Sequence, residues 1–226
     1  MSSRLLPGLR ASLKAQADPA RALGMQAYMK SAMPYHGVRM PQVRSTALSV
    51  FAKADFKSCE EWRSEVLAIW RGAKFREERY AADRRHALCR GPESLPVFEE
   101  MIVTGAWWDY VDEVAHLVGD MLRAHPRELR PVMRRWSKDT NMWKRRVSII
   151  CQLSFKDRTD LRLLYANIEP NLADREFFIR KAIGWALRSY AWTDPAEVAR
   201  YVRENESRLS GLSRREALKN VPAGMR

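Results

Sequence analysis

Apolar residues recur along this chain at helical spacing, in short amphipathic stretches bounded by start and stop signals. Trp107, Val111, Val114, Val118 and Met121 form one stripe, and Ile179, Ile183, Leu187 and Tyr190 form another. The alternation of a strand is missing from the pattern. Ser58-Cys59-Glu60-Glu61 and Ser213-Arg214-Arg215-Glu216 read as capping boxes. Asp194-Pro195 reads as an N-cap followed by a proline at the first helical position, where its missing N–H costs nothing. The pattern predicts helices over about 20–30, 41–53, 58–71, 75–89, 95–103, 106–124, 127–138, 142–155, 160–168, 175–191, 195–205 and 213–220. Connections are short, so sequential helices should pack antiparallel.

The helices carry a weak repeat. Trp143-x-x-Arg146-x-Ser148-Ile149-x-x-x-Leu153 matches Phe177-x-x-Arg180-x-Ala182-Ile183-x-x-x-Leu187 at an offset of 34, and Trp107 stands 36 residues before Trp143. Helical hairpins of that period predict an all-α fold, an α-solenoid or superhelix with the second helix of each hairpin on a concave face. An irregular helical bundle with chance similarity is the alternative. The expected organisation is one repeat domain over 1–226, with 1–18 and 221–226 read as poorly ordered ends.

Two residues break the stripes. Trp108 lies off the apolar stripe of its helix and shares a face with Asp112, four residues on. Trp185 sits roughly 200° from Ile183, at about 100° per residue. Either tryptophan alone is more often core or inter-helix packing, and a lone aspartate on a helix is usually a solvated charge. Arg146 lies on a stripe with Met142, Ile149 and Leu153, and a buried arginine needs a partner. Contact with a polyanion and an ion pair to Asp112 or Asp109 are both open for it. His116 falls on the broad face of Asp112 but reads first as a surface histidine.

Charge changes the picture. The chain has 40 Lys and Arg against 27 Asp and Glu, a net +13, and the cations are spread along it. That argues for a folded surface facing a polyanion, most simply nucleic acid. Arg84-Arg85, Arg134-Arg135, Lys144, Arg145, Arg188 and Arg214 are each ordinary solvated cations, but as a set they can track phosphates. A carboxylate and two off-stripe aromatics in such a chain suggest a cleft for a cationic or π-rich group beside a polyanion. Cys59, Cys89 and Cys151 are odd in number and far apart, which fits free thiols in a reducing compartment. There is no CxxC, HExxH, Walker-type loop or GxGxxG, so metal and nucleotide chemistry lack support and no cofactor is expected. No apolar run approaches the roughly 18 residues of a membrane span, and the first residues lack a secretory h-region.

The order of motifs is specific. Tyr28-Met29-Lys30, Gly37-Val38-x-x-Pro41-x-x-Arg44, Glu99-Glu100-x-Ile102-Val103-Thr104-x-x-Trp107-Trp108-Asp109-x-Val111-Asp112, Asn141-x-Trp143-x-x-Arg146, Glu176-Phe177-Phe178-Ile179-x-Lys181-Ala182-Ile183-Gly184-Trp185 and Leu212-Ser213-x-Arg215-Glu216-Ala217 follow one another from about Met25 to Lys219. With these the chain resembles the DNA alkylation repair enzymes of the AlkD type, HEAT-like repeat DNA glycosylases. The resemblance implies cleavage of the N-glycosidic bond of N3- and N7-alkylated purines in duplex DNA. It places the catalytic carboxylate on Asp112 and the cleft tryptophans on Trp108 and Trp185. DNA contacts are expected from Tyr28, Arg39, Lys144, Arg145, Arg146, Phe178 and Arg188. The position of Arg39 often carries a polar amide in relatives, which affects local backbone contact and not the reaction. The aromatic cleft is implied to hold the sugar and backbone of the lesion while the base stays largely in the duplex.

The reading is a monofunctional, monomeric glycosylase on duplex DNA carrying alkylated purines, cytoplasmic and nucleoid-associated, with no membrane and no metal. Monofunctional follows because no lysine accompanies Asp112 for a Schiff base. A non-catalytic repeat protein binding DNA or a protein partner is the alternative, and an RNA-binding solenoid the third. Because the stripe of its own helix uses other positions, replacement of Asp112 is expected to leave stability unchanged. The sequence leaves open N3 against N7 preference, tolerance for bulky adducts, and a housekeeping or self-resistance role.

Overall fold

The computed structural model describes residues 2–82, 89 and 91–225. Its regular elements are helical: α1 Leu6–Lys14, α2 Pro19–Met29, α3 Met40–Ala52, α4 Cys59–Gly72, α5 Arg76–Ala82, α6 Leu95–Gly105, α7 Trp108–Ala124, α8 Pro126–Trp136, α9 Met142–Ile150, α10 Leu161–Ile168, α11 Phe177–Tyr190, α12 Pro195–Glu204 and α13 Gly211–Ala217. No strand occurs among the described residues. The fold is all-α, as the periodicity predicts. The second half of the helix expected over 75–89, with Arg84-Arg85 and His86, lies outside the described residues.

Start signals explain most boundaries. Ser58 accepts the Glu61 N–H and opens α4, while Asp194 accepts the Glu197 N–H and opens α12. The expected box at Ser213 is not the start of α13. Ser210 is the cap, accepting the Ser213 N–H, and Glu216 turns to three cations instead. Residues 6–14, in an end read as poorly ordered, form α1 and bury Leu6, Leu9 and Leu13.

The chain divides into two compact units, Met1–Val97 and Phe98–Arg226. In the first, α1 packs on α3 and α5, and α4 on α5. The buried Glu77 carboxylate accepts the N–H groups of His36, Gly37 and Val38 and so fixes the segment leading into α3. Cys59 and Cys89 form a disulfide, with Cα atoms 5.1 Å apart. This corrects the expectation of free thiols: a separation of 30 residues says nothing until the fold brings the two together. The case for a reducing compartment loses its basis with it. Cys151 is free and buried, and burial pushes its thiol up to about 12.

In the second unit α7, α9 and α11 pack side by side, and α8 and α10 form a layer against them. The stripe residues Val111, Val114, Val118, Ile179, Ile183 and Leu187 are buried between helices. Fully burying a side chain of this size contributes about 1.5–3 kcal/mol. Asn167 on α10 donates to the Ser148 carbonyl on α9 and ties the two layers, while Asn171 donates to the Ser137 carbonyl at the end of α8. Two glycines set the closest approaches. A methyl on Gly119 would fall onto the Cys151 carbonyl oxygen, and one on Gly184 onto Glu216 Cβ and the Ser213 backbone.

Alanine is the better helix former by about 1 kcal/mol. Overpacking against backbone that cannot yield costs about 1–3 kcal/mol. Gly119→Ala and Gly184→Ala are therefore each expected to lower stability by about 1–2 kcal/mol in urea unfolding. A gain in stability from either would show that propensity outweighs helix contact there.

Candidate functional site

The site is built on α7, α9 and α11. Gly105 ends α6, and Ala106 turns the chain with a left-handed φ of 43°, after which Trp107 caps α7 with extended backbone. Such a conformation costs a residue with a Cβ about 1–2 kcal/mol. It directs Trp107 inward and lets Trp108 begin the helix. Trp107, Trp143 and Phe178 then cluster, with ring centroids 5.0–6.4 Å apart. One aromatic from the start of each helix thus sets how the three stack. Phe178, expected to contact DNA, sits half-buried in this cluster, while its neighbour Phe177 is exposed.

Above the cluster, Arg146 reaches from α9 to α7. Its Nε donates to Asp112 Oδ1 at 2.7 Å and its Nη2 to Oδ2 at 2.8 Å, a two-point fork. Its Nη1 donates to the Phe178 carbonyl at 2.6 Å. The guanidinium carbon lies 5.9 Å from the ring centres of both Phe178 and Trp185. The Arg146 side chain is 4% exposed and that of Asp112 is 16%. The pair is therefore oriented with its negative end outward.

Of the two readings open for Arg146, the ion pair to Asp112 is present in this geometry. Burial pushes the Asp112 carboxyl above its ordinary value, while the Arg146 fork, its charge and His116 pull it back down. Arg180 occupies the repeat position of Arg146, yet 34 residues before it stands Arg146 and no acid. Its Nε is buried without a hydrogen-bond partner. The Asp112–Arg146 pair is thus not a spacer that every repeat carries.

Other expected cations are also engaged. Lys144 holds Glu99 at 2.5 Å and Asp139 at 3.2 Å. Arg145 donates to Asp174 at 2.9 Å and to the Asp139 and Thr140 carbonyls. Arg188 holds Glu216 at 2.9 Å, as does Lys181, with Lys219 beside them. Burial opposes ionisation of Glu216, but Lys219 and Lys181 hold its carboxyl down at about 2. Trp108 and Trp185 are each partly exposed, as their off-stripe positions imply. Tyr28 on α2 is 76% exposed, and Arg39 is exposed at the cap of α3, its N–H donating to Gln42. Both belong to the first unit. Glu99 stood in the quoted motif without a role, and Asp139 and Asp174 were not singled out; each holds Lys144 or Arg145.

Comparison with known proteins bears on what this site serves. The sequence model of the DNA alkylation repair enzyme family matches residues 9–221. The chain belongs to that family. A solved structure from Enterococcus faecalis, described as a predicted DNA alkylation repair enzyme, is 30% identical and superposes with a TM-score of 0.79 over 92% of this chain and 97% of that one. Comparison with curated proteins returns no match. Family membership supports a role in the repair of alkylation damage. No helix among the described residues is long and apolar enough to cross a membrane.

Asp112 is forked by Arg146 and its side chain is 16% exposed, so its replacement is expected to cost stability, unlike the expectation drawn from the stripe of its own helix. The stripe of one helix does not record what a neighbouring helix buries. Removing Arg146 strands a part-buried carboxylate, which costs up to about 3–5 kcal/mol, whereas replacing both charges together is often close to neutral. Arg146→Met is expected to destabilise by that amount at neutral pH, and Asp112→Asn by about 1–3 kcal/mol. The double variant should recover much of the loss, a coupling read from a urea-unfolding cycle. Strict additivity of the two single changes would contradict the pairing.

Proposed function

We propose that the protein is a DNA glycosylase that hydrolyses the N-glycosidic bond of N3- or N7-alkylated purines in duplex DNA. Asp112 serves as its charge-stabilising carboxylate. The observation that carries this reading is the Asp112–Arg146 fork, whose negative end faces outward on the helix that also bears Trp108.

Alkylation at N3 or N7 leaves the purine positively charged. When the bond from C1′ to the base breaks, its electron pair stays with the base, which departs neutral. The sugar takes up the positive charge. A fixed carboxylate stabilises that charge as it develops. Water then adds at C1′, and its proton passes to Asp112 or to solvent. No lysine and no covalent intermediate enter this sequence. Arg146 holds the carboxylate ionised against its burial and fixes its direction. Trp108 and Trp185 offer electron-rich ring faces to the cationic nucleotide, each contact worth about 0.5–2 kcal/mol.

One observation favours a second reading, a non-catalytic DNA-binding repeat protein. Asp112, Lys144, Arg145 and Arg188 are all satisfied within the chain, as purely structural charges would be. Turnover separates the two.

Wild-type protein is expected to release N7-methylguanine from duplex DNA. Asp112→Asn, assayed well below its melting point, should slow single-turnover release by about 10²–10³ while duplex affinity persists. Trp108→Ala and Trp185→Ala should lose rate and lesion affinity together, because the rings act on the bound nucleotide as well as on the transition state. Duplex affinity should fall with salt at a slope of about −0.9 per phosphate neutralised. Unchanged release by Asp112→Asn removes the carboxylate mechanism, and no release from any alkylated duplex leaves the scaffold reading.

A further inference from the structure

Helices α8 and α10 lie against each other in the layer that carries none of Asp112, Arg146, Trp108 or Trp185. Two cavities of about 610 and 300 Å³ run along them and share Arg130, Asp160 and Leu163. Such volumes fall in the range of preformed ligand sites, about 300–1,000 Å³. The larger has an apolar floor of Pro131, Leu163 and Ala166, with Arg134 and Arg162 beside it. The smaller is floored by Leu122, Pro126 and Phe155, with Arg158 beside it. Where they meet, Arg130 pairs with Asp160 at 2.8 Å.

The charge of this groove is one-sided. Asp160 is the one acid that lines either cavity among the described residues, and it is committed to Arg130 and to the Leu163 N–H at the start of α10. Arg134, Arg158 and Arg162 are exposed and have no carboxylate partner among the described residues. The contrast with Lys144, Arg145 and Arg188 is direct: those cations are paired within the chain, and these are not.

We propose that this groove docks an extended acidic segment of a partner protein. Two apolar side chains of that segment seat in the two cavities, and its carboxylates meet Arg134, Arg158 and Arg162. Positive charge alone would serve any polyanion. The floors decide the class. A phosphate backbone is polar along its length and gains nothing from Pro131, Leu163 or Phe155. An acidic peptide with apolar anchors uses both features, anchors for affinity and carboxylates for orientation and on-rate.

The test is fluorescence anisotropy with the full chain and three labelled probes: an Asp/Glu peptide carrying two leucines, the same peptide with serines in their place, and a short unmodified duplex. The leucine peptide should bind more tightly than the serine peptide. Arg134→Glu/Arg162→Glu should weaken the leucine peptide at least about tenfold, with a change in the same direction for Arg134→Gln/Arg162→Gln. Far-UV circular dichroism checks that both variants fold. Equal binding of the two peptides assigns the contact to net charge and overturns the groove. Leucine-peptide binding that survives charge reversal overturns it too. A tenfold loss for the duplex without peptide binding assigns the surface to nucleic acid instead.

Discussion

A guanidinium buried to 4% side-chain exposure cannot stand without an anion, and the arrangement of the second unit follows from how Arg146 meets that demand. Its fork reaches one helix back to Asp112 and its remaining nitrogen one helix forward to the Phe178 carbonyl. Three sequential repeats are thereby registered by one side chain. Taking both charges from water costs several kcal/mol per ion, and only good geometry returns it. A pair of hydrophobic residues would hold the helices as well. The ion pair earns its place if its outward carboxylate has work to do. That is the physical link between the fold and the proposed chemistry.

The same reasoning sorts the excess of positive charge. A net +13 suggests a surface studded with free cations. On α9 and α11, Lys144, Arg145, Lys181 and Arg188 are instead held by Glu99, Asp174 and Glu216, and they fix helix positions. Arg134 on α8 and Arg162 on α10 have no carboxylate partner among the described residues. Charge counted along a sequence therefore identifies a class of partner poorly until the acids that consume it are placed.

How much was legible in the sequence follows from what is local. Helix stripes and caps are written within a few residues, so Ser58 and Asp194 mark true starts. The off-stripe logic also holds for Trp108 and Trp185, since a helix reports its own buried face. What depends on a second element was not legible. The Cys59–Cys89 bond, the burial of Asp112 and the engagement of Lys144 and Arg145 all require knowing which segment lies opposite. Ser210 displaced Ser213 as the cap because α13 starts earlier than its apolar residues suggest. The resemblance to alkylation repair enzymes named residues that no pattern of spacing alone would have selected.

The central claim is that Asp112 acts as an ionised carboxylate although burial disfavours its charge. The measurement that addresses this most directly is the pH dependence of single-turnover excision. Burial raises the Asp112 carboxyl above its ordinary value of 3.8, so the ionised working form is lost as pH falls through that raised value. The rate should drop along a single acid limb lying above 3.8, and the limb should be absent from the residual activity of Asp112→Asn. A rate that stays level through that window, or a limb that persists in Asp112→Asn, would contradict the account.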